Sequence, residues 1–204
     1  MPKKYIFIGL IVVVIIASVL FISKQFKEEK TTIANNLSQD TSTATESSSA
    51  VKTKLLNGKI EPPPGVAPES LTIVGLATTA VVDKQGNFSA KTYEDGVTTV
   101  AAMSKGKEFG LIKIVVASTE EPQDNFIINA KTTATGLVFM TPFFLTNEPA
   151  RAKEILDVID HDAKVQAFAQ VITAVFDQAD PLSDPVYQQA FKAAIESVAL
   201  TLNQ

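Results

Sequence analysis

The strongest constraint on this chain is an uncharged apolar stretch close to its N-terminus. Residues 5–23 read YIFIGLIVVVIIASVLFIS, which is 19 consecutive residues without a charge. At 1.5 Å per residue a helix of this length spans roughly 28 Å, close to the hydrocarbon thickness of about 30 Å in a bilayer. Because a soluble domain does not need a terminal helix that is apolar on every face, the stretch predicts a transmembrane anchor.

The residues on either side of this stretch bear on its orientation. Two lysines precede it and three lysines follow it within seven residues, so the lysine count alone does not choose a side. A short tail before the stretch and a long soluble part after it favour a cytoplasmic N-terminus and an extracytoplasmic C-terminal part. We therefore expect a single-pass protein of the cell membrane that contacts the lipid bilayer through residues 5–23.

Two other classes of protein also begin with an apolar stretch. A cleaved signal peptide has an apolar region of about 7–15 residues that ends at small residues. Ala17 and Ser18 are small, but cleavage there would leave residues 19–22 as an apolar start, so the sequence favours an uncleaved anchor and leaves cleavage open. A pilin-like subunit is less favoured, because with Gly9 as the cleavage residue Val14 replaces the glutamate that type IV pilins carry.

The composition limits the chemistry available to the chain. It has no cysteine, no tryptophan and one histidine, which excludes disulfides and thiolate metal sites. Residues 55–204 carry 11 basic and 18 acidic side chains, a net charge of about −7, which disfavours nucleic-acid binding. His161 lies between Asp160 and Asp162, and neighbouring side chains of this kind do not converge on one point. We predict no catalytic, cofactor or metal site, and therefore a protein that is not an enzyme.

Changes in composition divide the chain into four segments. Residues 1–23 are the N-terminal tail and anchor. Residues 24–54 are a Ser/Thr-rich linker that we expect to be disordered, because it has too little apolar surface to offset the entropy of ordering. Residues 55–117 are predicted to form a small antiparallel β-sandwich, and residues 118–204 to form a helical domain. The sequence does not decide whether the sandwich and the helices form one domain or two.

Six short runs rich in β-branched residues alternate with glycine or proline turns in the predicted sandwich. Their spacing of about ten residues is typical of antiparallel sandwiches. The predicted strands are residues 55–60, 70–75, 78–82, 88–93, 97–103 and 111–116. In the turn before the fourth strand, Asp83 is expected to accept backbone N–H groups, Gly86 to adopt a positive φ, and Phe88 to enter the core.

Around this turn the sequence TAVVDKQGNFSAKTYEDGVTTVAAMSKG resembles the carboxypeptidase regulatory-like domain, a transthyretin-like sandwich related to the collagen-adhesin B-type repeats. The likeness rests on an Asp-x-x-Gly-x-Phe turn at Asp83, Gly86 and Phe88, and on a second turn at Gly96. It covers residues 55–117, and the proline-rich segment EPPPGVAP departs from the family pattern. The resemblance implies a structural or spacer module without an activity of its own.

Four helices are predicted in the last segment, because capping residues there precede apolar residues at helical spacing. Pro142 is expected to end or kink the first helix, and Pro149 to lie in the first turn of the second. Short connections between helices of this length are typical of a small bundle. The predicted N-caps are, in chain order, Thr132 or Thr133, Thr146 or Asn147, Asp162, and Asp184.

The predicted fold is therefore α+β: a transmembrane helix, a disordered linker, a small antiparallel β-sandwich and a bundle of about four helices. We expect a non-enzymatic, bacterial surface protein that presents the sandwich and the helices to a protein or envelope partner. An exposed apolar patch around residues 139–144 would favour a protein partner. The alternative is an exported module that binds a small ligand or a glycan, which would need a concave, aromatic-lined pocket. The partner and the oligomeric state do not follow from the sequence.

Overall fold

The structure, a computed structural model, describes residues 52–75, 77–107, 109–117 and 126–203. All of them belong to one compact unit that spans Ser49–Gln204. The predicted anchor, and the predicted linker apart from its last three residues, lie outside the described residues. Within the described ranges, no helix combines the length and the apolar character needed to cross a bilayer.

The described unit has an α+β fold in which seven strands precede four helices. A three-stranded sheet has the order β4–β1–β7, and a four-stranded sheet has the order β3–β2–β5–β6. The six strands predicted before residue 118 are all present, with ends no more than two residues from the prediction. The strands are β1 (Thr53–Ile60), β2 (Leu71–Val74), β3 (Ala80–Val81), β4 (Asn87–Tyr93), β5 (Gly96–Ser104), β6 (Leu111–Ala117) and β7 (Phe126–Ile128).

All pairings among the six predicted strands are antiparallel, as expected, but the smaller sheet is mixed because it also contains β7, which the prediction did not include. β7 pairs in parallel with β1, with Gly58 opposite Phe126 and Ile60 opposite Ile128. A parallel pair needs a crossover connection rather than a tight turn, and β7 reaches β1 only after the chain has built the four-stranded sheet. β7 has only three residues, and its sequence FII carries no alternation by which it could be recognised as a strand.

Four helices follow β7, as the sequence predicts: α1 (Ala130–Phe139), α2 (Pro149–His161), α3 (Ala163–Val175) and α4 (Pro185–Leu202). The predicted caps Asp162 and Asp184 are confirmed, because each side chain accepts two backbone N–H groups from the first turn of its helix. Pro149 is the first residue of α2, where the missing N–H is not needed. Since α1 ends at Phe139, the helix stops before Pro142 as expected.

The predicted caps of the first two helices are wrong. α1 is capped by Asn129, whose side chain accepts the N–H of Thr132, while the Thr132 hydroxyl accepts the N–H of Asn129. Thr132 is thus the reciprocal partner in a capping box, a position that is more often Glu or Gln. A threonine at this position resembles an N-cap residue, which explains the wrong prediction. In α2 the N-cap is Glu148, one residue beyond the predicted Asn147.

Side chains from both sheets and all four helices form one hydrophobic core. Phe109, in the link between β5 and β6, packs edge-on against Phe176 and Tyr187, with 5.9 Å between ring centroids in each pair. At β6, Gly136 lets α1 approach closely, since a Cβ there would lie 3.1 Å from the Ile112 side chain. The apolar residues at helical spacing in α3 and directly after it are all buried: Val165, Phe168, Ala169, Ile172, Val175 and Phe176.

The turn between β3 and β4 has the geometry expected from its sequence. One carboxylate oxygen of Asp83 accepts the N–H groups of Gln85 (2.9 Å) and Asn87 (2.7 Å). Gly86 has φ +87°, and Phe88 is buried against Phe126 with ring centroids 6.2 Å apart. The turn also contacts β1, because the N–H of Ile60 donates to the Gly86 carbonyl at 2.7 Å.

Candidate functional site

The candidate site is the apolar loop, which we define as residues 140–145, directly after α1. Its exposed side chains are Met140, Pro142, Phe143 and Leu145, and Phe143 and Leu145 have 65% and 58% of their surface exposed. Phe144, in contrast, is buried in the core. The apolar stretch that the sequence shows around residues 139–144 is thus divided into buried and exposed side chains. Its buried residues support an exposed apolar surface.

Backbone hydrogen bonds hold the apolar loop in a compact turn. The N–H of Met140 donates to Gly136 at 2.9 Å, and the N–H of Thr141 donates to Val138 at 3.1 Å. The N–H groups of Phe144 and Leu145 both donate to the carbonyl of Thr141 at 3.1 Å. The buried Thr141 hydroxyl donates to the Val138 carbonyl at 2.8 Å. Since Pro142 has no N–H, four of the five backbone N–H groups of this loop are hydrogen-bonded within the loop or to α1.

The apolar loop lies at the same end of the sheets as the start of the described chain. The Thr99 hydroxyl donates to the Met140 Sδ at 3.6 Å, and Thr99 is the fourth residue of β5. Thr99 lies three residues, or about 10 Å, from the start of β5. The N–H of Glu94, in the turn that leads into β5, donates to the carbonyl of Lys52 at 3.1 Å. The described chain therefore begins near the apolar loop.

An open depression of about 660 Å³ lies on the three-stranded sheet beside the Asp83 turn. Its lining includes the side chains of Asn57, Val81, Asn87 and Ser89, together with the carboxylate of Asp83. That carboxylate is committed to the turn, and hydrogen bonds from Asn87, first its side chain and then its backbone, lower the pKa of Asp83. The depression is wide, and its lining mixes polar and apolar residues. Phe88 is the one aromatic residue in that lining, so the depression does not provide the pocket lined by several aromatic rings that small-ligand binding would need.

A partly buried ionic network joins β6 to the helices. The Lys113 Nζ lies 4.5 Å from the centroid of the Phe126 ring; burial lowers the pKa of Lys113, and the negative charge of Asp160 opposes that shift. Asp160 also receives hydrogen bonds from the Lys131 Nζ at 2.8 Å and from the Thr135 hydroxyl at 3.3 Å. The single carboxylate of Asp160 thus interacts with lysines of β6 and α1, which is a structural role.

Three further ionisable groups take part in interactions within the helical part. His161 is exposed at the end of α2, and its Nδ1 lies 2.7 Å from the Asp157 carbonyl oxygen. Burial raises the pKa of the Tyr187 hydroxyl, and hydrogen bonds from the N–H groups of Tyr187 and Val186 lower the pKa of the Asp184 carboxyl. In the part of the chain that the structure describes, no three His, Cys, Asp or Glu side chains are grouped so that they could hold a metal ion.

No protein-family model matches this chain, and no curated protein matches it significantly. The apolar loop therefore stands as the candidate site on its own geometry. The sequence located the apolar run, but it did not show which residues face outward, since that depends on the turn around Thr141. Nor did the sequence predict the position of the loop at the end of the sheets where the described chain begins.

Proposed function

We propose that this protein is a non-enzymatic, single-pass protein of the cell membrane that presents its α+β unit outside the membrane for contact with the envelope. Residues 5–23 are the anchor, with the N-terminus in the cytoplasm, and residues 24–51 are the linker. The apolar loop is the contact surface. The observation that carries the proposal is the exposure of Phe143 and Leu145 on a loop that the core holds in place.

Exposed apolar groups that are contiguous usually mark a contact surface, whereas single apolar residues scattered over a surface do not. The four exposed apolar side chains of the loop lie within six consecutive residues and are supported by the buried Phe139 and Phe144. The apolar loop loses little conformational entropy on binding, because hydrogen bonds already order its backbone. These features support a contact role rather than a catalytic one.

The proposal includes a spacer role for the sheets, consistent with the resemblance to the carboxypeptidase regulatory-like domain. The hydrogen bonds of Asp83, the positive φ of Gly86 and the burial of Phe88 support that resemblance at the residues on which it rests. This chain has two features that do not belong to that turn. Strand β7 pairs in parallel with β1, and the sheets share one core with the helices. We propose that the two sheets form a sandwich that supports the helices and the apolar loop.

Co-sedimentation with envelope membranes tests the proposed contact surface. The fragment 49–204, which is the compact unit, is mixed with membranes from the source cell, and its depletion from the supernatant is measured. We expect the double variant Phe143→Ser, Leu145→Ser to sediment less than the native fragment. The matched control is Leu182→Ser, Val186→Ser, which removes two apolar side chains that are 42% and 61% exposed. Equal sedimentation of all three proteins would overturn the proposal.

A further inference from the structure

We propose that the apolar loop inserts into the interface of the lipid bilayer in which the chain is anchored. This inference rests on the proposed anchoring and names the partner of the same surface. The partner of the apolar loop is the boundary between the headgroups and the acyl chains of a zwitterionic lipid layer. Three independent observations favour lipid over a protein partner: the hydrogen bonding of the loop, its distance in sequence from any charge, and its position beside the linker.

The loop has few polar donors left to satisfy. Five of its six residues have a backbone N–H, and four of those five, on Met140, Thr141, Phe144 and Leu145, donate within the loop or to α1. The only side-chain hydroxyl, that of Thr141, is buried and bonded. Bonded donors lower the cost of moving the loop from water towards lipid, where an exposed N–H finds no acceptor. A protein interface usually carries about one hydrogen bond per 100–200 Å², and this loop has few free donors for such bonds.

The charges around the loop also suit a neutral lipid layer. No charged residue lies between Lys131 and Glu148, a run of 16 residues. Lys131 is paired with Asp160, and Arg151, shortly after Glu148, is paired with Glu154 at 2.9 Å. Insertion of the loop would therefore not remove any charged side chain of the loop from water. Since basic residues do not flank it, attraction to anionic headgroups is not required.

The linker places the loop within reach of the bilayer. Residues 24–51 number 28, and a flexible chain of that length has an r.m.s. end-to-end distance of about 30 Å. It joins the compact unit at Lys52, at the end of the sheets where Thr99 contacts Met140. Tethering raises the effective concentration of the loop at the membrane surface, so that weak insertion of a few side chains is enough to orient the unit.

Tryptophan fluorescence in reconstituted vesicles tests this inference, because the native chain contains no tryptophan. Full-length Phe143→Trp is reconstituted into phosphatidylcholine vesicles with and without bromine on the acyl chains. The matched control is full-length Val186→Trp at a side chain that is 61% exposed. Val186 lies beside Tyr187, which contacts Phe109 in the link after β5, so it is at the opposite end of that strand from the linker. Far-UV circular dichroism checks that both variants are folded.

We expect the emission of Phe143→Trp to shift to shorter wavelength and to lose intensity in brominated vesicles, while Val186→Trp does neither. If both variants float with the vesicles and neither is quenched by bromine, the bilayer inference is wrong and the anchoring still holds. If the Phe143→Trp emission shifts only after a protein extract of the envelope is added, without bromine quenching, a protein partner replaces the bilayer. If the full-length chain does not float with the vesicles, the proposed anchoring itself fails.

Discussion

Two glycines with similar backbone conformations have different surroundings, which separates backbone strain from steric overlap. Gly86 has φ +87° and Gly96 has φ +95°, both in a region that residues with a Cβ seldom adopt. A Cβ on Gly86 would overlap the carbonyl oxygen of Ile60, whereas a Cβ on Gly96 would meet nothing within 4 Å. Of these two glycines, Gly86 therefore excludes a side chain for both reasons and Gly96 for the first alone.

We predict that Gly96→Ala lowers the free energy of unfolding by about 1–2 kcal/mol, the usual cost of a left-handed conformation, and that Gly86→Ala lowers it further. Urea unfolding of the fragment 49–204 measures both changes. Equal losses would show that the Ile60 carbonyl moves aside at no cost, contrary to the close approach of the Asp83 turn to β1.

At the scale of single elements, α1 covers the edge of β6 with hydroxyl groups. The Thr133 Oγ1 accepts the N–H of Ile112 at 2.9 Å and donates to the carbonyl of Asn129 at 2.7 Å. β6 is an edge strand of its sheet, and an uncovered edge can pair with other chains. The Thr133 hydroxyl therefore joins helix to sheet and satisfies a buried N–H.

Replacing Thr133 by valine keeps the shape of the side chain and leaves the Ile112 N–H without its acceptor. We predict a loss of about 1–3 kcal/mol in the free energy of unfolding, the usual penalty for a buried unsatisfied donor. Thr135→Val is the control, because that hydroxyl makes only a longer bond of 3.3 Å to Asp160. A loss in Thr133→Val no greater than in the control would contradict the proposed role of this hydroxyl.

The N-cap of α4 makes part of the stability depend on pH. Backbone N–H groups of Tyr187 and Val186 hold the pKa of Asp184 below its ordinary value of 3.8. A carboxyl whose pKa is depressed in the folded state stabilises the fold above its unfolded pKa, and that contribution is lost as the pH falls through the folded value.

Asp184→Asn removes this titration and keeps a good capping residue. We predict a free energy of unfolding below that of the native fragment at neutral pH, with a difference that shrinks as the pH is lowered below the ordinary carboxyl pKa. Urea unfolding at a series of pH values measures the difference. A difference that stays constant across the series would show that the Asp184 charge does not contribute to the cap.

Local sequence signals predicted some elements better than others. Asp162 and Asp184 were recognisable as caps because each precedes an apolar run at helical spacing. Strands β1 to β6 were recognisable from β-branched runs between glycine or proline turns. The Asn129 cap was missed because its partner in the capping box is a threonine. The pairing of β7 with β1 depends on residues far apart in the chain, which no local pattern encodes.

The candidate site was predictable only as a stretch of sequence. Residues 136–145 are apolar enough to be singled out, but the same composition suits a buried helix. The exposure of Phe143 and the burial of Phe144 arise from the turn at Thr141, and the location near the linker arises from packing against β5. Both depend on tertiary structure.

At the scale of the whole molecule, Phe109 couples the sheets to the helices. It is 8% exposed and packs against Phe176 and Tyr187, which belong to the helical part. We predict that Phe109→Ala lowers the free energy of unfolding by about 3–5 kcal/mol, the usual loss for a buried phenylalanine. Hydrogen exchange should show equal losses of protection in β5 and α3. The exposed Phe143→Ala is the control, and a loss confined to α3 and α4 would contradict a single cooperative unit.

The proposed anchoring places residues 5–23 in the bilayer and the compact unit outside it. Alkaline carbonate extraction of membranes, followed by protease treatment of intact cells stripped of their outer layers, tests this arrangement most directly. We expect the full-length chain to remain in the carbonate-washed membrane pellet, and added protease to release or degrade the unit 49–204 without breaking the cells. Recovery of the full-length chain in the soluble fraction, or protection of the unit 49–204 from the protease, would contradict the proposed anchoring.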